Sequence, residues 1–498
     1  MDESKIIATY TEGINAVITV VKDMGSQIQS LTGTITHLNE KLVDLESSSA
    51  KQAMQIAELE ARLNKNSSNS SKPPSGDGYG KKAPKNSREK SGKSTGGQLG
   101  HVGKTLEKVQ TPNVIVEFKI QKSCDCGCNL EKIESIKKTR QVFDIPKPQM
   151  WVTEYVTYDK VCPECGKAHK TEFPDGVTQP TQYGENIQTL LSYFSLHQLI
   201  PSARTVEAIR DLTGHSISEG TLANISRILC KKVEGAVTDI KKQIIAAEVV
   251  HFDETGMRSE GKTKWMHVAS TEALTYYEIH DKRGQQAAQD IGILANFNGT
   301  SVHDHWKPYY CFTDCTHAEC NAHNLRYLKD IAENYHQYWA SEMASLLIEM
   351  NRRVKDLKIE GFFEMPKNEI KIWQERYHAI IEKGVVEDAD KNHQILNKKG
   401  KLMKSKALQL LLKLQNYDLE TLAFMYDFNI PFDNNLAERD IRMQKLRQKI
   451  SGCFRGKDGA SVFCRIRSYL STAKKNGINA MDAIARALKG YPFIPQVR

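Results

Sequence analysis

The sequence predicts a multidomain α/β protein on three observations: a heptad seam near the N-terminus, two clusters of closely spaced cysteines, and a strand-rich stretch followed by long helical runs. At 498 residues the chain is too long for one ordinary core, and length alone suggests roughly three domains. With 40% hydrophobic residues most of it should fold. No run of about 18 apolar residues occurs, and the start MDESKIIATYTEG lacks the basic segment and apolar core of a signal peptide. The expectation is a soluble intracellular protein with no membrane partner, whose 11 cysteines are reduced thiols or metal ligands. The net charge of +9 is unevenly placed. Lys65 to Lys104 carries nine Lys or Arg against Asp77 and Glu89, which points to a polyanionic partner.

From Ile28, the apolar residues Leu31, Ile35, Leu38, Leu42 and Leu45 step by alternating threes and fours, and Ile56, Leu59 and Leu63 resume the frame. That is a coiled-coil seam, weakened at Ser49 and Gln52, and it predicts a homodimer or higher oligomer through residues 1–64. Residues 65–104 then turn polar, basic and rich in Ser, Gly and Pro, the composition of a flexible linker that attracts DNA non-specifically. Residues 105–178 contain CDCGC (Cys124, Cys126, Cys128) and CPECG (Cys162, Cys165), joined by alternating segments such as MWVTEYVTYDKV that read as strands. Two Cys pairs on tight turns can close a tetrahedral thiolate site, so a zinc-ribbon-like module with structural zinc is expected. Cys162 and Cys165 form one pair, and Cys124 with either Cys126 or Cys128 forms the other. Residues 179–246 read as helices, and the turn around Gly214 followed by Ser216 or Ser218 gives a helix-turn-helix-like pair suited to a DNA groove.

Chemistry begins in residues 247–323. VVHFDETGM, KTKWMHVAST and ALTYYEIHDK read as three strands, followed by a helix through GQQAAQDIGIL and a fourth strand TSVHDHWKPYY. Asp253 lies on the first strand, with His251 on the same face and Glu254 on the other, and Asp304 ends the fourth. By spacing alone Asp314 rivals Asp304. THAECNAHNLRYLKDI then reads as a helix, in which Cys320 and His323 have metal-like spacing but are expected to pack, while Arg326 meets phosphate. Residues 324–430 are helical in pattern, an insertion ahead of residues 431–498. There, DNNLAERDIRMQKLRQK predicts a helix to about Lys449 with Asn435, Glu438, Arg442, Lys445 and Lys449 on one face. Two aspartates and a glutamate supply hard oxygen ligands for two magnesium ions ~4 Å apart, the arrangement that cleaves phosphodiesters without a protein nucleophile; manganese can substitute.

These residues also carry a resemblance. NSSNSSKPPSGD, GGQLGH, FDET, HD followed by PYY, HAECNAHNLRYL, and DNNLAERDIR followed by KISGCFRG occur in one order that resembles the DDE transposases of insertion-sequence family sixty-six. The resemblance implies a ribonuclease-H-like core interrupted by the helical insertion. It implies Asp253, Asp304 (not Asp314) and Glu438 as catalytic, magnesium-holding acids, and motif positions at Asn434, Asn435, Arg439 and Arg442. The implied activity is binding of terminal inverted repeats, metal-dependent end cleavage and strand transfer into target DNA, by a cytoplasmic, nucleoid-associated protein. Small accessory proteins of the same element are further expected partners. The irregular CDCGC departs from the family pattern. The alternative expectation is a DNA-binding regulator whose core has lost catalysis.

Overall fold

A computed structural model describes residues 3–67, 69–70, 106–131, 133–391 and 404–496. Two units are distinguished: residues 82–178 with 207–216 form one, and the remainder forms the other.

The N-terminus is two helices, α1 (Glu3–Thr11) and α2 (Ile14–Leu63), broken at Gly13, whose φ of 102° no other residue adopts readily. The 50 residues of α2 run unbroken for about 75 Å at the rise of an α-helix. Ile28, Leu31, Ile35, Leu38, Leu42 and Leu45 all stand exposed along it. Its C-terminal end is held differently. Ala61 is buried, and Asn64 donates to Asn334 Oδ1 at 3.2 Å. Asn69 Nδ2 donates to the Asn64 carbonyl (3.1 Å), and Ser70 Oγ to that of Asn66 (2.6 Å). The flexible linker expected from residue 65 is corrected over its first described residues: short amide and hydroxyl side chains close a turn on the backbone, with Asn69 and Ser70 buried. Residues 71–104, the rest of that expectation, lie outside the described residues.

In the smaller unit, β1 (Asp159–Val161) and β2 (Ala168–Lys170) pair antiparallel around the second cysteine pair. The strand expected through MWVTEYVTYDKV is corrected to these last residues, because 150–158 carry no ladder and are largely exposed. Alternation alone does not form a strand without a partner or a face to bury.

Helices α3 (Glu185–Ser192), α4 (Ser202–Thr213), α5 (Glu219–Lys232) and α6 (Glu234–Ile245) follow. Gly214 (φ 73°) ends α4, and Ser218 rather than Ser216 opens α5, its Oγ accepting the Thr221 N–H at 3.0 Å.

The larger unit is built on five strands in the order β5-β4-β3-β6-β7. β3 (Val249–Ser259), β4 (Lys262–Ser270) and β5 (Thr275–His280) are antiparallel, while β6 (Thr300–His303) and β7 (Thr316–Glu319) run parallel to β3. Glu260 and Gly261, at φ 52° and 74°, make the left-handed pair that a two-residue hairpin turn needs. The helix α7 (Gln285–Ile291) connects β5 to β6. β7 corrects the expectation that THAECNAHNLRYLKDI is helical from its start: only Asn321 onward is, in α8 (Asn321–Asn334). THAE pairs with β6 and buries Ala318 and Glu319, a pattern in which a buried acid hides the strand.

After α8 come α9 (Tyr338–Ile359), α10 (Lys367–Lys391), α11 (Lys406–Asn416) and α12 (Asp418–Tyr426). They enclose a core of their own around Trp339, Met343, Leu347, Tyr377 and Leu411. Gly384 lets α10 approach this core, since a Cβ there would stand 2.9 Å from Trp339 Cγ. The chain then returns through α13 (Asn435–Ser451), α14 (Gly459–Lys475) and α15 (Ala480–Leu488) to the sheet's main core. α14 also covers the exposed edge of β5: Thr472 Oγ1 and Ser468 Oγ accept the Thr275 and Tyr277 N–H groups at 3.0 and 2.8 Å. No described helix is long and apolar enough to cross a membrane.

Candidate active site

The parallel ladder between β3 and β6 sets the first two acids. Val249 pairs with Thr300 and His251 with Val302, and the same offset, continued past the ladder, brings Asp253 level with Asp304. Asp314 is exposed in the turn before β7. Asp253 accepts the Glu254 N–H (2.8 Å) and Asp304 the Trp306 N–H (3.0 Å), which fixes one oxygen of each carboxylate.

The third acid arrives on α13, and Asn434 holds the start of that helix to β3. Asn434 is buried; its Nδ2 donates to the Phe252 carbonyl at 2.7 Å, and its Oδ1 meets His251 Nδ1 at 2.8 Å. Its backbone N–H donates to Cys320 Sγ at 3.1 Å. One side chain thus ties the residues flanking Asp253 to the helix that carries Glu438. Asp440 secures the same helix from the other side, accepting from Ser270 Oγ (2.7 Å), Thr275 Oγ1 (3.0 Å) and Lys475 Nζ (2.8 Å). Glu438 Oε1 lies 3.4 Å from Arg326 Nη2 and 3.7 Å from His323 Nδ1.

Electrostatics tie the three acids together. Burial pushes the Asp253 carboxyl well above the carboxylate range, the neighbouring Glu254 pushes it further, and the charges of Asp304 and Glu438 add to this. Burial also raises Asp304 and Glu438, against the lowering influence of Arg283 and Lys413 on the former and of Arg326 and Arg442 on the latter. Mutually repelling carboxyls raised in this way form a site whose ionised state a divalent cation would stabilise. The hard oxygen donors of the three carboxylates suit magnesium, though among the described residues their ligand atoms do not all lie within 4.8 Å of one another.

Sequence reading missed the support around these acids. Glu254 accepts from Arg283 Nε (2.8 Å) and Nη2 (2.7 Å) and from the Tyr309 hydroxyl. The Arg283 guanidinium lies between Trp265 and Trp306, 4.9 and 4.1 Å from their ring centres. Glu319, on β7, accepts from His305 Nδ1, from Tyr310 Oη (2.7 Å) and Asn324 Nδ2 (3.2 Å), and pairs with Lys413 Nζ (3.1 Å) from α11. This buried pair joins the helical insertion to the segment that carries Asp304. The aromatic residues after Asp304 were the available signal, but no spacing rule points from them to Lys413.

Of the residues expected to touch DNA, Arg326 is turned onto Glu438, whereas Asn435, Arg439, Arg442, Lys445 and Lys449 are exposed along α13. Lys445 Nζ reaches the Gly256 carbonyl at 3.5 Å.

In the smaller unit each cysteine cluster is a tight turn. Gly127 donates to the Cys124 carbonyl (2.8 Å) and Gly166 to that of Cys162 (2.9 Å), both glycines with positive φ. The Cys124 thiol is held below its usual range by hydrogen bonds from Cys126, and that of Cys162 by hydrogen bonds from Cys165 and Glu164. Cys128 Sγ is directed at the Asn129 carbonyl, 3.9 Å away. Among the described residues no three of these five sulfurs stand within 4.8 Å of one another. The two turns are formed separately, in a segment that buries few apolar side chains.

No match was found among curated proteins. Residues 14–107 match a family of unknown function. Residues 121–166 match the zinc-finger binding domain of transposase IS66, which supports a structural zinc in this unit. Residues 180–462 match the transposase IS66 family model, a span that takes in the sheet, the helical insertion and all three acids, and more than half of the chain. On that match the chain belongs to the IS66 family of transposases.

Proposed function

We propose that Asp253, Asp304 and Glu438 form one metal-dependent centre that cuts the ends of the protein's own mobile element and joins them to target DNA, on a ribonuclease-H-like core. The observation that supports this reading is the β3–β6 register that levels Asp253 with Asp304, together with the Asn434 clip that fastens the start of the Glu438 helix to β3. Two magnesium ions held by these carboxylates would supply an activated water, then an activated 3′-hydroxyl, and a stabilised leaving oxygen. The chain's own part is to hold the acids in place and to grip the DNA. Asn434 and Asp440 hold the third acid's helix on the sheet. Arg439, Arg442, Lys445 and Lys449 offer exposed cations to the phosphate backbone next to Glu438, with Asn435 beside them. Arg326 holds the Glu438 carboxylate and would be released to phosphate when that acid takes a metal.

The α4–α5 pair and the cysteine module are the proposed readers of the terminal repeats. Zinc would be held by Cys162 and Cys165 with Cys124 and either Cys126 or Cys128, bringing the two turns together. The exposed seam of α2 supports pairing of two chains as a coiled coil, so that both ends of the element are held at once.

The test offers the protein, with magnesium, DNA carrying the repeats that flank its own coding region and, separately, an RNA–DNA hybrid. Nicking confined to the repeat ends is expected. Binding of the ends without nicking would instead identify a regulator, and cleavage of the hybrid alone would identify a ribonuclease.

A further inference from the structure

Beside the proposed magnesium centre, two side chains whose chemistry magnesium does not use converge on one of its acids. Cys320 Sγ, His323 and Glu438 offer ligand atoms within 4.8 Å of one another, the only such group of three or more among the described residues. Two helix starts build it. Cys320 caps α8, His323 lies three residues on along the same face, and Glu438 lies one turn into α13. Cys320 is 1% exposed, and its sulfur accepts the Asn434 N–H at 3.1 Å. His323 Nδ1 is buried with no hydrogen-bond partner, its 3.7 Å approach to Glu438 Oε1 being too long for one. A buried ring nitrogen left unpaired costs about 1–3 kcal/mol, and a metal ion is one partner that would satisfy it.

We infer that Cys320, His323 and Glu438 form a site for a borderline-soft divalent ion, zinc above all, which inhibits the enzyme by withdrawing Glu438 from the magnesium centre. The inference rests on the reading of Glu438 as the third acid. Zinc accepts thiolate, imidazole and carboxylate together, with bonds of about 2.0–2.3 Å that set tetrahedral ligand atoms about 3.3–3.8 Å apart. A modest contraction of the observed cluster reaches that spacing. Magnesium demands oxygen ligands in octahedral geometry, so the two centres sort the ions by chemistry while sharing one carboxylate. On binding, Zn–S, Zn–N and Zn–O bonds form, the Cys320 thiol proton passes to solvent, and water takes the fourth position. The Asn434 N–H already directed at Cys320 Sγ is the kind of outer hydrogen bond that supports a metal-bound thiolate. Because Asn434 also clips α13 to β3, the inhibitory site and the catalytic arrangement share a positioning residue.

The experiment is equilibrium dialysis of the full chain against zinc, with zinc and protein quantified afterwards, on the wild type and on Cys320→Ala, His323→Gln and Cys162→Ser, each checked for folding by circular dichroism. The expected result is one zinc fewer per chain in folded Cys320→Ala and His323→Gln than in the wild type, with that ion retained in Cys162→Ser. In parallel, each protein's nicking rate with zinc is divided by its own rate in magnesium alone. At about ten times its dissociation constant, zinc should lower this ratio about tenfold in the wild type but leave it near one in Cys320→Ala and His323→Gln. Equal zinc content in the wild type and both folded variants would overturn the inference, as would equal inhibition in all three. Dialysis does not depend on nicking, so an extra zinc in a chain that never nicks DNA would refute the catalytic reading and leave the metal site standing.

Discussion

Asn434 commits every polar atom of its side chain to β3, and His251 is the ring it meets there. Replacing it with alanine leaves the Phe252 carbonyl and the His251 nitrogen unpaired in a buried position, at about 1–3 kcal/mol for each group not reached by water. The expected outcome for Asn434→Ala is a lower urea midpoint and a nicking rate that falls further than the affinity for DNA ends, because the residue positions Glu438 and does not itself bind DNA. Glu319 is a different kind of residue. Burial would raise its carboxyl, but the hydrogen bond from His305 and the charge of Lys413 outweigh it and hold the group at about 2. Glu319→Gln leaves Lys413 buried with its charge unmatched, and a loss of about 3–5 kcal/mol is expected in denaturant melts. The sign of the pH dependence follows from the lowered value. Between the ordinary glutamate pKa of 4.5 and about 2 the unfolded chain binds more protons, so this stabilisation is complete above that window and is lost as pH falls through it. The stability gap between wild type and Glu319→Gln should therefore shrink on acidification.

Among the elements, α2 gives the plainest prediction. Leu38→Lys together with Leu42→Lys places charge on two exposed seam positions. Sedimentation should show a shift from dimer to monomer, with the helical content of the remainder unchanged. The heptad pattern made this helix legible because its spacing is local, and the same holds for β3, β4, β5 and the basic face of α13. β7 was not legible: in THAE the buried positions are Ala318 and Glu319, and an acid on the buried face breaks the alternation that marks a strand. Residues 150–158 failed in the opposite sense, having the alternation but no strand to pair with among the described residues. Asn69 and Ser70 looked like linker by composition, yet their side chains satisfy the backbone of a turn at the end of α2.

At the scale of the molecule, the three proposed acids carry signals in the sequence and the residues that support them do not. Asp253 lies within the apolar strand β3, Asp304 directly follows β6 and Glu438 stands in the first turn of α13, so each carries a local signature. The register that levels the first two, the Asn434 clip and the Lys413–Glu319 pair all join residues far apart in the chain, and no periodicity encodes them. The helical insertion has its own core and meets the site through that buried pair, so it acts as a brace for the segment after β6. The central claim is that three acids from two strands and a distant helix act as one metal centre. Single-turnover nicking of end-bearing DNA in magnesium, by the wild type and by Asp253→Asn, Asp304→Asn and Glu438→Gln, tests it most directly. Each variant should lose about 10³-fold or more in rate, as expected when metal-held charge worth several kcal/mol is removed, while still binding the ends. Wild-type nicking by any one of the three would contradict the account.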